Sequence, residues 1–307
     1  LQESEIIRTL FPGKSFPEDD CYFLSPDTLV TTDSLVEGTH FLHEWSSPTQ
    51  IAEKLIEVNV SDIAASGGKP RLCFLNLGLS LFSKEEKWVK EFTKSFLKRL
   101  KEYKMDLVGG DTFYSQTTHL TLTVFGKTKQ PWFRSGGKEG DFLYLTGSVG
   151  NSELGLQILN KTKTGKGASA KPALAKHLSP KSRVPLVSHL QKFEIHACMD
   201  LTDGIIQDSR RMALASKGKL EIDMDLLPID KFARENLSWD EVLSSGEELE
   251  LLFLSPNLLP SKIGGVPVTR IGRFLPAKKN KKKKVVEFSL NGSVYEPQKL
   301  GFLHFQS

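Results

Sequence analysis

The stretch Ser47–Gly68, SPTQIAEKLIEVNVSDIAASGG, carries the clearest local instruction in the chain. Ser47 offers a capping hydroxyl, Pro48 suits the first helical position, and Gln50 stands where a capping box needs it. Ile51, Leu55, Val58 and Ile63 follow at roughly helical spacing and Gly67-Gly68 supplies the stop, which predicts a helix over about 48–66. Ser61-Asp62 then falls inside that helix, a position where a carboxylate calls for a reason.

Working outward, Ser83 with Glu86 three residues on reads as a second start signal. Trp88, Val89, Phe92, Phe96, Leu100 and Tyr103 mark one apolar face, predicting a helix over about 84–104. Strands read from β-rich runs at 28–32, 71–80, 106–108 and 120–124, then at 142–146, 249–254 and 266–271, with further helices near 152–160, 184–191 and 204–216. The Gly-rich, charged stretch Trp132–Gly140 separates the two sets, giving expected domains of 1–135 and 136–307. Lys161–Lys171 and Ala277–Lys284 read as loops, the second as a solvated hairpin tip.

A chain of 307 residues, 39% hydrophobic and 25% charged, has the composition of a globular protein and a length that suits two domains. Its charge of +4 comes from 41 basic and 37 acidic residues, but six lysines lie in Lys278–Lys284; without them the balance is 35 against 37. The basic excess is thus local and argues against nucleic acid as a partner, because no aromatics are interleaved for base stacking. Cys21, Cys73 and Cys198 lack disulfide or zinc spacing, and no run approaches the ~20 apolar residues of a membrane helix. With no apolar leader in the first 30 residues, we expect a cytoplasmic protein without membrane attachment, whose initiating Met precedes Leu1.

The chemistry concentrates in carboxylates at the ends of apolar runs, beside glycines or hydroxyls: Asp19-Asp20, Thr31-Thr32-Asp33, Ser61-Asp62, Gly109-Gly110-Asp111 and Asp200-Leu201-Thr202-Asp203-Gly204. One such Asp is ordinarily a cap or turn residue, but five groups ask for a common cause. Gathered carboxylates repel by about 4 kcal/mol per pair at close range, so they need cations. Hard oxygen donors select Mg²⁺ over zinc, and Mg²⁺ held by carboxylates usually means substrate phosphates. Gly109-Gly110 would let the backbone approach such phosphates closely. No complete P-loop, G-x-G-x-x-G, kinase signature or nucleophile elbow is present. His177, His189 and His196 show no ligand spacing and receive no role.

TTDSLVEGTHF (31–41), NVSDIAASG (59–67), VGGDT (108–112) and MDLTDG (199–204) occur in the order seen in the thiamine-monophosphate kinase family, which the chain resembles. Arg134 with Gly140-Asp141, His177-Leu178 with Arg183, SGEELEL (245–251) and GFLHF (301–305) extend the resemblance over about residues 5–305. It implies a two-domain α/β (α+β) aminoimidazole ribonucleotide synthetase-like fold, with mixed sheets covered by helices and pairing of N-terminal domains into a homodimer. It also implies transfer of the γ-phosphoryl of ATP to thiamine phosphate, with Mg²⁺ as cofactor. Carried over by position, Asp20, Thr31, Thr32, Asp33, Asp62, Asp111, Asp200 and Asp203 would ligate Mg²⁺, with Asp33, Asp111 and Arg134 central to catalysis. Gly110, Asp111, Arg134 and Thr202 would hold ATP, and His40, Glu247 and Phe302 would contact thiamine phosphate. The rival readings are another ATP-using enzyme of the superfamily with a different small substrate, and an inactive binding protein on the same fold.

Overall fold

The computed structural model describes residues 3–11, 19–161, 168–276 and 284–298. After α1 (Glu3–Leu10), the first half builds β1 (Tyr22–Ser25), β2 (Thr28–Val36), α2 (Pro48–Ala65), β3 (Gly68–Leu79), α3 (Glu86–Tyr103), β4 (Asp106–Tyr114) and β5 (His119–Thr128). Its strands form one sheet in the order β1-β2-β5-β3-β4, with only β3 and β4 parallel. The second half runs β6 (Phe142–Thr146), α4 (Asn151–Leu159), α5 (Lys171–Leu178), α6 (Val184–Leu190), β7 (Ala197–Asp200), α7 (Ile205–Ala215) and β8 (Gly218–Asp223). It continues through α8 (Lys231–Asn236), α9 (Trp239–Leu243), β9 (Leu251–Ser255), β10 (Lys262–Ile263), β11 (Val266–Pro276), β12 (Val286–Leu290) and β13 (Ser293–Tyr295). These strands form a second, mixed sheet in the order β13-β12-β8-β11-β6-β9-β7, with β10 on β11.

The helix expected from Ser47 forms with its full capping box: Ser47 accepts from the Gln50 amide and the Gln50 side chain accepts from the Ser47 amide. It is not an ordinary amphipathic helix. From Ile51 to Ala65 only Glu53 and Asp62 escape full burial, because α2 lies on β2, β3 and β5 on one side and on α5, α6 and β7 on the other. α3 packs alongside it through Trp88, Phe92 and Phe96, whose rings stack at 5.1 and 5.7 Å between centroids.

Three local readings are corrected. Ser83 does not cap α3, which starts after Glu85 without a side-chain cap; its hydroxyl instead accepts from the Ser80 amide at 2.9 Å and closes a buried turn against Thr118. β11 and β12 are not the arms of a hairpin, because β8 lies between them and β12 pairs with it in parallel; the tip itself falls outside the described residues. The strand read from residue 249 begins at Leu251, since Leu249 takes a left-handed φ of 50°.

Glu57 ties the two halves together. Fully buried on α2, it accepts from Tyr103 Oη at 2.7 Å and from the Ser182 amide at 2.8 Å, with the Arg99 guanidinium 3.5 Å away. Truncating it strands these partners in a dry interface, so Glu57→Ala should lower stability by about 3–5 kcal/mol in denaturant titrations. A loss below 1 kcal/mol would show that the cluster does not bind the halves together.

Candidate active site

A cleft of about 1080 Å³ opens between the halves. Into it the structure brings Asp20, Thr31, Thr32, Asp33, His40, Asp62, Arg134, Asp200, Thr202, Asp203 and Glu247. Gly110 and Asp111 are not among its walls. They lie within β4, the exposed edge strand of the first sheet, in register with Leu75 and Asn76 of β3. Gly110 answers to packing: at φ +152° a Cβ there would fall 1.7 Å from the Leu75 carbonyl oxygen, so the strand pairing itself requires glycine. Phe302 lies outside the described residues.

At the base of the cleft, oxygens of Asp20, Asp62 and Asp200 come within 4.8 Å of one another. Each is held separately. Thr31 Oγ1 donates to Asp62 at 2.5 Å, Ser61 Oγ donates to Asp200 at 2.5 Å, and Arg134 donates to Asp20 through Nε at 3.1 Å. The Asp33 amide donates to Asn59 Oδ1 at 2.9 Å, which locks β2 to α2 beside them. Burial, then the charges of Asp33, Asp200 and Asp20, push the Asp62 carboxyl well above its usual range. Burial and Asp20 do the same to Asp200. Asp20, working against the cost of burial, holds the Arg134 guanidinium firmly charged. Three carboxylates this close, with hydroxyls as neighbours, make a donor set that fits a hard divalent cation.

The Asp200–Gly204 turn is fixed from beneath by a residue the motifs did not single out. Asp208 on α7 accepts from the amides of Thr202 and Asp203, both at 3.0 Å, and pairs with Arg211, which also bridges to Asp203. Burial, then Asp203, raises the Asp208 carboxyl to about 7. Its only sequence signal is a charge on the helix face that carries Ile205, Ser209 and Met212.

Behind the opposite wall, which His40 and Glu247 line, lies Lys54, a residue the motifs did not single out. Only 3% exposed, it pairs with Glu247 Oε2 at 2.6 Å and donates to the His40 carbonyl at 3.1 Å. His40 Nδ1 accepts from the Val36 amide at 3.0 Å, closing the turn after β2. Glu247 sits at φ 53°, a conformation that is costly for a residue other than glycine, and its amide donates to the Thr202 carbonyl at 2.7 Å. Despite burial, Lys54, His177 and His40 draw its carboxyl below the ordinary range.

Comparison with known proteins places this geometry. Residues 18–128 match the AIR synthase related protein N-terminal domain and residues 138–279 its C-terminal domain. Over 306 residues the chain is 47% identical to a thiamine-monophosphate kinase of Leptospira interrogans, covering 99% of this chain and 98% of that one. The chain belongs to the thiamine-monophosphate kinase family. Another family member, from Escherichia coli, is 36% identical over 83% of this chain and 82% of its own. A solved structure described as AaThiL complexed with AMPPCP and TMP superposes with a TM-score of 0.86 at 29% identity, covering 99% of this chain and 97% of that one. Its agreement in fold with the family extends to both sheets.

The raised carboxyls set a pH dependence. An acid whose folded pKa is raised keeps its proton when the unfolded chain has already lost it, so stability falls as pH rises from about 4 toward the folded value. Metal-free protein should therefore melt at progressively lower temperature as pH rises above about 4, and Asp62→Asn should flatten the decline. Mg²⁺ should restore the wild type but not the variant. A wild-type melting temperature that does not fall with pH, or that Mg²⁺ leaves unmoved, would contradict this picture of the cluster.

Proposed function

We propose that the chain is a thiamine-phosphate kinase, transferring the γ-phosphoryl group of ATP to the phosphate of thiamine phosphate and releasing ADP and thiamine diphosphate. The observation that carries the reading is the convergence of Asp20, Asp62 and Asp200 beneath Arg134, in a cleft of a chain that shares nearly half its residues with a thiamine-monophosphate kinase. Mg²⁺ bound by these carboxylates, with Thr31, Thr32, Asp33 and Asp203 beside them, would neutralise phosphate charge and align an in-line displacement.

The protein's own residues supply the rest. Arg134 and Thr202 hold the nucleotide phosphates, while Asp208 keeps the Thr202–Asp203 amides in place. His40, Glu247 and Phe302 bind the acceptor. No side-chain base is needed to make the nucleophile, because the acceptor phosphate, with a second pKa near ~6, is already ionised at neutral pH.

Gly110 and Asp111 can serve a site only if a second copy brings them there. We place a homodimer on the uncovered face and edge of the first sheet, where Phe74, Leu107, Val108, Phe113 and Tyr114 are exposed between 41% and 65%. The division at residues 135/136 makes the first unit the pairing and metal-binding domain and the second the one that completes the cleft. All three cysteines are free and buried, and no helix among the described residues is long and apolar enough to cross a membrane, which supports a cytoplasmic enzyme. Recovery in the membrane fraction of lysed cells would count against that placement.

Incubation with Mg²⁺, ATP and thiamine phosphate should yield thiamine diphosphate by chromatography, and chelation should abolish it. Asp33→Asn should cut turnover by at least about 100-fold with the fold intact by circular dichroism. Efficient phosphorylation of unphosphorylated thiamine would contradict the reading. Sedimentation should give a mass twice the 34.3 kDa chain, and Tyr114→Glu should shift it toward monomer; a monomeric wild type would exclude the dimer.

A further inference from the structure

α7 turns a second guanidinium toward the cleft. Arg211, in the second turn of that helix, lines the cleft together with Thr202 and Asp203, and its side chain is 36% exposed. Its hydrogen bond to Asp208 Oδ1, 2.8 Å long, and its closest approach to Asp203 both run through Nη1. Among the described residues no hydrogen bond is made at Nε or Nη2. Because Nη1 is anchored on a fully buried carboxylate, the exposure falls on the rest of the side chain, which carries that open edge.

A guanidinium is a rigid plane of five N–H donors, and its Nε–Nη2 edge matches two oxygens of one phosphate. Arg134 cannot offer this edge in the same way, because it gives Nε and Nη2 to Asp20. The two cations are close: each feels the Asp208 charge, and the like charge of Arg134 acts on Arg211. A phosphate chain that reaches this end of the cleft passes Asp203 and Asp208, whose charges repel it. An arginine held by one nitrogen and open at the other edge offsets that repulsion and supplies a bidentate seat.

We infer that Arg211 binds a phosphate of the nucleotide through its Nε–Nη2 edge, with Asp203 and Asp208 holding the guanidinium in place. The inference rests on the kinase reading above and adds to Arg134 and Thr202 a further phosphate contact. The nucleotide is the occupant, and not the acceptor, because the two ends of the cleft are electrostatically separate. Asp203, Asp208 and Arg134 act on Arg211, whereas Lys54, His177 and His40 act on Glu247.

Calorimetry with a non-hydrolysable ATP analogue at saturating Mg²⁺ tests it on wild type and Arg211→Lys. Lysine keeps a cation against Asp203 and Asp208 but has no second edge. Arg211→Lys should therefore melt at nearly the wild-type temperature and yet bind the analogue at least about tenfold more weakly. In steady state it should raise KM for ATP by a similar factor and leave KM for thiamine phosphate within about twofold of wild type. A folded Arg211→Lys with wild-type affinity for the analogue, or with equal rises in both KM values, overturns the assignment and leaves Arg211 a purely structural partner of the two carboxylates. The calorimetry needs no acceptor, so a wild type that makes no thiamine diphosphate defeats the kinase reading separately, whereas a wild type that does not bind the analogue overturns both. Independently of any variant, a crystal structure of wild type with the analogue should place a phosphate oxygen within hydrogen-bond distance of Arg211 Nε or Nη2; phosphates seated elsewhere in the cleft also overturn it.

Discussion

Everything in this molecule turns on one helix being buried almost all round. α2 lies between the first sheet and the helices of the second half, so it has almost no face on which to discard polar residues, and yet it buries Lys54, Glu57, Asn59 and Ser61 and half-buries Asp62. Each must find a partner in protein or ligand, because an unpaired buried polar group costs about 1–3 kcal/mol and a charge more. The partners are the structure. Glu57 takes Tyr103 and Ser182, Asn59 takes the Asp33 amide, Ser61 takes Asp200, Asp62 takes Thr31, and Lys54 takes Glu247 and the His40 carbonyl. Successive turns of one helix thus fix the His40–Glu247 wall, the interface between halves and the carboxylate cluster relative to one another.

The price of that arrangement is concentrated where the chemistry is proposed. Asp200 is buried next to the half-buried Asp20 and Asp62, and two residues of the opposite loop, Glu247 and Leu249, adopt left-handed backbone. Arginines temper the first problem from the rim, Arg134 against Asp20 and Arg211 against Asp203 and Asp208. A core assembled for stability alone would hold neither the carboxylates nor the strain. A bound cation would relieve the repulsion, so the same interactions that weaken the cleft would favour such a ligand.

Local signals in the sequence were legible where they act locally. The Ser47 box, the Trp88–Leu100 face and the β6 run at 142–146 need only neighbours along the chain, and all three form as expected. The carboxylates of the cleft were legible as a set because their small and hydroxyl neighbours repeat. Lys54, Glu57, His177 and Asp208 were not, because a charged or imidazole group on a helix looks solvent-facing until tertiary packing covers it. The strand contact at Gly110 was hidden for the reverse reason: what approaches it within this chain is the neighbouring strand, an event the local sequence does not show. The short helices α8 and α9 and the strand β13 carry too few residues for periodicity to rise above background.

The central claim is that α2 assembles a divalent-cation site from Asp20, Asp62 and Asp200. Anomalous diffraction from crystals grown with Mn²⁺ and a non-hydrolysable ATP analogue tests it most directly. The account predicts a strong anomalous peak among those three carboxylates, with further density toward the nucleotide phosphates. Bound nucleotide with no anomalous density between Asp20, Asp62 and Asp200 would contradict it.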